Sequence, residues 1–283
     1  MNRPQIVTAP PQGISAAVLA VIDDLQRQLR NPEEKRAVHR IRMDSKRLRA
    51  WLQLVRHNAD DFDWRSRDRT IRDIARQLSA KRDAQVVLDT LLWLEKKVPE
   101  QSQRCSIEQV RLHIRFDLGR HDIDWASLSE PLDNEWMLLR EQAVLLGGTA
   151  VAREGLKRTY KRARKRGNSA FARQGTIEDL HKLRKWVKYL CYQVAFLREV
   201  YPDMYGKVYK RLDELGDKLG RIHDLDIVQH KIDQIADMEG CREATRDVNR
   251  CIEARVNKLL KRCDRLYKKI FNPSQAKFIR CLT

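Results

Sequence analysis

The sequence has no hydrophobic run long enough to cross a bilayer. Its most apolar stretches are Ile14–Ile22 and Ala143–Ala152, the second interrupted by Gly147-Gly148 and Thr149. Both fall well short of the ~20 residues a spanning helix needs. The opening, Met1-Asn2-Arg3-Pro4, lacks the basic stretch and apolar core of a secretory signal. A soluble, cytoplasmic protein with no membrane association is expected. Cysteine is sparse: residues 105, 191, 241, 251, 263 and 281 form no Cys-x-x-Cys pair and no Cys/His zinc spacing. Reduced, half-buried thiols are expected instead of a disulfide framework. No stretch alternates apolar and polar residues between hairpin turn signals, which excludes a sheet-based fold. No Glu-x-Glu-x-Lys motif, with which one kind of metal-dependent phosphohydrolase clusters its acids, occurs.

Positive charge is present in excess and unevenly. Across 283 residues, 57 Lys and Arg face 39 Asp and Glu, a formal net charge of +18. Residues 1–141 carry a net +3 and residues 142–283 a net +15, so the excess belongs to the second half. Within Arg153–Arg173, nine basic residues accompany one acid, Glu154. A block of one sign repels itself and calls for an anionic partner or a solvated face.

Helical periodicity covers most of the chain, and an all-α fold is expected. Ile14–Leu29 sets residues 14, 18, 21, 22, 25 and 29 on one face. Asn31-Pro32-Glu33-Glu34 supplies an N-cap, a first-turn proline and a capping acid for a helix to about His57. Asn58-Ala59-Asp60-Asp61 ends it. Further helices are predicted over about 64–97, from the Ser106 cap to about 118, and over 135–166 with a weak point at Gly147-Gly148. A polar loop follows at 167–175. Thr176, with Asp179 three residues on, then caps a helix ending before Pro202, and helices at about 203–223, 225–238 and 241–271 complete the chain. The predicted organisation is an N-terminal arm (1–13), a domain over 14–271, and a tail (272–283). Within the domain, halves at about 14–118 and 135–271 are joined by an irregular connection at 119–134.

The halves repeat each other. His39-Arg40-Ile41-Arg42-Met43-Asp44-Ser45-Lys46 aligns with His181-Lys182-Leu183-Arg184-Lys185-Trp186-Val187-Lys188 at an offset of 142 residues. Each copy has His, a base at +1, Arg at +3 and Lys at +7. Downstream of each, Leu78–Asp83 resembles Leu219–Asp224. Two matched segments at near-constant separation imply an internal duplication and two pseudo-symmetric bundles. On a helical wheel His39, Arg42, Lys46 and Arg49 share a sector of about 80°. Ile41, Ser45, Leu48, Leu52 and Val55 fill the neighbouring one. In the second copy His181, Arg184 and Lys188 adjoin Leu183, Val187, Leu190, Val194 and Leu197. One flank ties each helix into its bundle, and the other aims cations along the axis one turn apart, a spacing suited to a linear polyanion.

These residues resemble the signature of the CHAD family, the conserved histidine α-helical domain: His-x-x-Arg-x-x-x-Lys/Arg-x-x-Arg on a helix, occurring twice, each followed by a Leu-Gly-like segment ending in Asp. The resemblance spans about residues 14–271. It implies two related helical bundles with a basic central groove or pore, binding of inorganic polyphosphate, and association with polyphosphate granules. His39, Arg42, Lys46 and Arg49 complete the first signature. His181, Arg184 and Lys188 match the second, where Cys191 stands in place of the final Arg and Tyr192 keeps the aromatic that follows. Arg153, Lys157, Lys161 and Arg164, on one face by spacing, resemble the family's basic helix. Asp83 and Asp224 match the acidic ends of the downstream segments and are expected to orient nearby Arg or His side chains.

Three roles stay open for the motif histidines: groove lining, a structural hydrogen bond to an aspartate, or metal ligation. Neither has an i,i+4 His/Glu partner, so no metal and no cofactor are expected. Few acids on the same helices reach the cation rows, since Asp44 points away and Glu178 and Asp179 sit at a helix start. Trp51, Trp186, Tyr189 and Phe196 are expected in the core. The expected function is non-enzymatic polyphosphate binding. Nucleic-acid binding is the alternative that the charge also allows, and a phosphohydrolase or a pure scaffold comes behind it. Oligomeric state is not fixed by the sequence.

Overall fold

The computed structural model describes residues 13–31, 37–57, 63–116, 125, 133–236, 241–272 and 278. Within them, the side chains of 79–84, 115, 116, 133, 134, 149, 200, 202 and 204 are not described. The arm expected at 1–13 (apart from Gly13), the capping residues Pro32–Glu34, the break at Asn58–Asp61, most of the 119–134 connection and most of the 272–283 tail lie outside the described residues.

The described residues form an all-helical protein without strands. The helices are α1 (Ile14–Arg30), α2 (Ala37–Val55), α3 (Trp64–Gln77), α4 (Ser79–Glu95), α5 (Gln101–Phe116), α6 (Asp133–Leu145), α7 (Thr149–Ala170), α8 (Ile177–Val200), α9 (Pro202–Ile235) and α10 (Arg242–Phe271). Each apolar face read from the sequence is buried. On α1 these are Ile14, Val18, Val21, Ile22, Leu25 and Leu29; on α2 Ile41, Ser45, Leu48, Leu52 and Val55; on α8 Leu183, Val187, Leu190, Val194 and Leu197. Trp51, Tyr189 and Phe196 are core residues as expected, whereas Trp186 is half-buried.

Helices α2 and α8 lie at the centre and pack on each other. Across their contact the Gln193 side-chain amide donates to the buried Ala50 carbonyl at 2.9 Å, and the Tyr192 hydroxyl meets Met43 Sδ at 3.7 Å. Around this pair α1 packs on α2 and α8, α7 on α8 and α2, α4 on α5 and α9, and α10 on α9 and α5. Asp44 does point away from the cation row: it is buried against α1, where Gln28 donates to it at 3.0 Å. Burial raises its pKa despite the Gln28 bond and the nearby Arg47.

Four boundaries differ from the sequence expectation. The helix expected over 64–97 is broken at Leu78, whose side chain turns fully into the core. Near that break the Arg42 guanidinium donates to the Ala75 carbonyl at 2.7 Å, an acceptor a continuous helix would give to the N–H four residues on. Conversely, the break expected near residue 224 is absent, and α9 runs unbroken for 34 residues. Leu219, Ile222, Leu225, Val228 and Ile232 continue one buried stripe through the site of the expected break. Helix α5 starts at Gln101, with Ser106 inside it bonding back to the Ser102 carbonyl. Helix α7 extends through Gly167 to Ala170, and Thr176 and Asp179 form the expected capping box of α8.

Gly167 is a packing residue and not a breaker. A Cβ there would collide with the Tyr267 ring, which packs over this turn and donates its hydroxyl proton to the Arg164 carbonyl at 2.7 Å. Gly167→Ala should therefore destabilise the protein by about 1–3 kcal/mol, overpacking outweighing alanine's helix propensity of ~1 kcal/mol. Urea denaturation checks this; equal or greater stability would show that Tyr267 repacks freely.

Candidate functional site

Because α2 and α8 bury adjoining apolar flanks, Lys46 of the α2 row and His181 and Arg184 of the α8 row come near one another against α9. The focal side chain is His223 on α9. Its Nδ1 lies 3.1 Å from Nε2 of His181, with the rings edge to face at 4.6 Å between centroids. Asp226, one turn further along α9, places Oδ2 3.4 Å from the same His181 nitrogen. Burial, then the charges of Arg184, His181 and Lys46, push the His223 imidazole down to about 4. Lys46 from the first row and His181 and Arg184 from the second thus share one neighbourhood, centred on a residue that the sequence analysis did not single out. The signal for His223 was its place just before Asp224 in the second downstream segment.

Gly216 on α9 makes room for Lys188 of the second row, whereas Gly220 leaves only ordinary contact distance to Arg184. A Cβ at Gly216 would lie 2.9 Å from Lys188 Cε, and one at Gly220 would lie 3.8 Å from Arg184 Nε. Lys188 then reaches two acids of α9, Asp217 at 3.0 Å and Asp213 at 3.8 Å. The position of the missing final cation is closed off: Cys191 is buried, its Sγ lies 3.9 Å from Asp213, and its thiol is pushed up to about 12 by burial and by that carboxylate.

The remaining sequence candidates are distributed as follows. Arg49 makes a two-pronged, half-buried pair with Asp68 of α3, at 2.9 and 3.2 Å. Arg42 is half-buried on the Ala75 carbonyl, and His39 is exposed near the start of α2. On α7, Arg153 and Lys157 are half-exposed, with Lys157 2.6 Å from Glu154, while Lys161 and Arg164 are exposed. Arg164 acts on Tyr160 and Tyr267, on the α10 side. Asp224 is half-buried on α9; the acid beside His181 is Asp226. The Asp83 side chain lies outside the described residues.

A second basic cluster forms where α2 ends. Arg56 lies in the turn immediately after α2, seven residues beyond Arg49. Arg158 and Arg162 of α7 lower its pKa after burial, together with Arg65 of α3, and all four arginines lower that of exposed His57. Arg56 and Arg65 lie over the Trp64 ring at 5.8 and 5.0 Å, and Arg162 over Trp186 at 4.9 Å. Nε and Nη2 of Arg158 are buried without a hydrogen-bond partner among the described residues. The α7 side chains that converge with α2 are therefore Arg158 and Arg162, about a third of a turn from the 153/157/161/164 face.

Comparison with known proteins follows this geometry. The family model described as CHAD domain matches residues 14–233. The crystal structure of the CHAD domain from the plant Ricinus communis is similar in fold, with a TM-score of 0.54 and 19% sequence identity over 99% of this chain and 96% of that one. No curated protein matches.

The depressed His223 pKa links folding to pH. In the unfolded chain this imidazole takes its proton near 6.5, but in the fold only near 4, so the unfolded state binds more protons between these values. His223 therefore favours the fold fully above about 6.5 and loses that contribution as pH falls toward 4. Thermal melts near pH 7 and pH 5 should show a drop that is smaller in His223→Asn, and NMR should give the ring a midpoint near 4. An ordinary midpoint would mean that the ring is open to solvent and that Arg184 and Lys46 lie away from it.

Proposed function

The chain belongs to the CHAD domain family, and from that premise we propose that it binds inorganic polyphosphate through its paired cation rows without acting on it chemically. The observation that carries this reading is the meeting of Lys46, His181 and Arg184 around His223, where cations from two helices face one locus on a third. A phosphate chain laid there gains charge-assisted hydrogen bonds, with guanidinium groups able to bridge two oxygens.

Magnitudes separate the cations that are available from those already engaged. The Lys188–Asp217 pair is 70% exposed at the acid, and exposed pairs contribute about 0–1 kcal/mol, so a polyanion displaces Asp217 easily. Arg49 and Asp68 are held by two bonds, with both side chains under 20% exposed, and the α2 row therefore acts chiefly through Lys46 and, further on, Arg56.

The arrangement of contacts supports the finer reading of a duplicated domain with a shared basic groove. Contacts of α1 with α2 and of α2 with α7 are matched by those of α7 with α8 and of α8 with α1, while α4 on α5 is matched by α9 on α10. The pairs α2·α8, α4·α9 and α5·α10 each join equivalents. On this reading the unbroken α9 corresponds to α3 and α4 together. Binding of this kind would bring the protein to polyphosphate granules in the cytoplasm.

Nucleic acid is the second reading, favoured by the net charge of +18. Against it, arginines cover the Trp64 and Trp186 rings that would otherwise stack on bases.

Titration with polyphosphate of defined length at two salt concentrations tests the proposal. Affinity should fall steeply with salt, and the Lys46→Glu/Arg184→Glu variant should bind at least about tenfold more weakly with unchanged helical circular dichroism. Undiminished binding by that variant, or displacement of polyphosphate by DNA at lower phosphate concentration, would overturn it.

A further inference from the structure

The guanidinium groups at the end of α2 are gathered by the backbone itself. A Cβ at Gly155 of α7 would lie 2.0 Å from the Leu54 carbonyl oxygen of α2, so the two helices meet backbone against backbone. Arg56 follows two residues after Leu54, and Arg158 three after Gly155, which sets both near the level of that contact. From the start of α3, Arg65 joins Arg56 over the Trp64 ring, at 5.0 and 5.8 Å. Arg162, one turn beyond Arg158, lies over Trp186 of α8 at 4.9 Å. The rings hold three of the four guanidiniums without neutralising them.

Their charge is left uncompensated. The charges that act on Arg56 are those of Arg162, Arg158 and Arg65, with no carboxylate among them. Glu154 acts on Arg158, but it is exposed and already engaged by Lys157 at 2.6 Å. Nε of Arg56, and Nε and Nη2 of Arg158, are buried and lack an acceptor among the described residues. Nε and Nη2 form the edge with which a guanidinium grips two oxygens of one phosphate.

We propose that Arg56, Arg65, Arg158 and Arg162 form a second anion site, which takes one compact phosphate dianion. Convergence on one place from the turn after α2, from α3 and from α7 suits a doubly charged group better than the singly charged links of an extended chain. Orthophosphate, pyrophosphate and the end group of a chain share this chemistry, each carrying close to two charges on a terminal phosphate near pH 7. Arg56 lies ten residues beyond Lys46, about 15 Å along the axis of α2, so the site stands apart from the His223 locus. Arg65 and Arg162 are exposed, and such side chains exchange rotamers within nanoseconds, which admits an anion to donors that are covered at rest.

The probe is pyrophosphate alone, added to full-length Lys46→Gln/Arg184→Gln protein, so the result does not depend on polyphosphate binding at His223. Calorimetry should give one equivalent, and tryptophan fluorescence should change with it, because Trp64 and Trp186 lie beneath the guanidiniums. Adding Arg56→Gln/Arg158→Gln should weaken binding at least about tenfold, and adding the exposed Arg162→Gln alone should weaken it too, with helical circular dichroism verifying each fold. Adding Lys258→Gln/Lys261→Gln, an equal loss of charge at exposed positions on α10, should leave the affinity within about twofold. Competition in the same background separates the sources: displacement of pyrophosphate by polyphosphate at matched chain-end concentration assigns the site to chain ends, and its failure assigns it to free phosphate. Absence of saturable pyrophosphate binding, or equal effects of the Arg56/Arg158 and Lys258/Lys261 changes, would overturn the proposal.

Discussion

Two amphipathic helices that bury adjoining flanks against each other bring their cationic flanks together, and this enforced proximity of like charge governs the rest of the molecule. The cost is managed residue by residue. Asp68 holds Arg49 with two bonds, Asp213 and Asp217 take Lys188, and the end of α3 receives the Arg42 guanidinium. At the centre, where the charges of Arg184 and Lys46 act on one side chain, that side chain is an imidazole whose hold on a proton is weakened by burial first and by those charges after it. A charged group there would add a further like charge to a half-buried locus; a neutral one keeps hydrogen-bonding capacity without that repulsion.

The apolar half of this arrangement was legible in the sequence, because a helix's buried face is a local pattern. Every residue of the faces assigned to α1, α2 and α8 is buried. The partners of the cations were not legible. Asp68, Asp213, Asp217 and Asp226 lie on helices other than the rows they meet, and no spacing rule within one helix reports contacts across a bundle. The boundaries failed for a related reason. Gly167 reads as a loop residue until Tyr267 is seen against it. The expected break fell in α9 when it belongs between α3 and α4, because the burial of Leu78 and the approach of Arg42 to Ala75, which decide it, are tertiary.

The arginine cluster at the end of α2 makes the same point about faces. Nine basic residues within Arg153–Arg173 are too many for one side of a helix, and the structure divides them. Arg164 addresses the tyrosines of the α10 side, while Arg158 and Arg162 meet Arg56 and Arg65. Stacking on Trp64 and Trp186 lets some of these guanidiniums gather beside one another, since a ring face offers a cation partial compensation without supplying a counterion.

The uninterrupted course of α9 has a geometric consequence. Its 34 residues make a rod about 51 Å long, carrying Asp213, Asp217, His223 and Asp226 with no joint between them. Positions on it keep fixed spacings along one axis, so Asp213 and Asp226 stand about 20 Å apart, and a ligand that meets both must be at least that long.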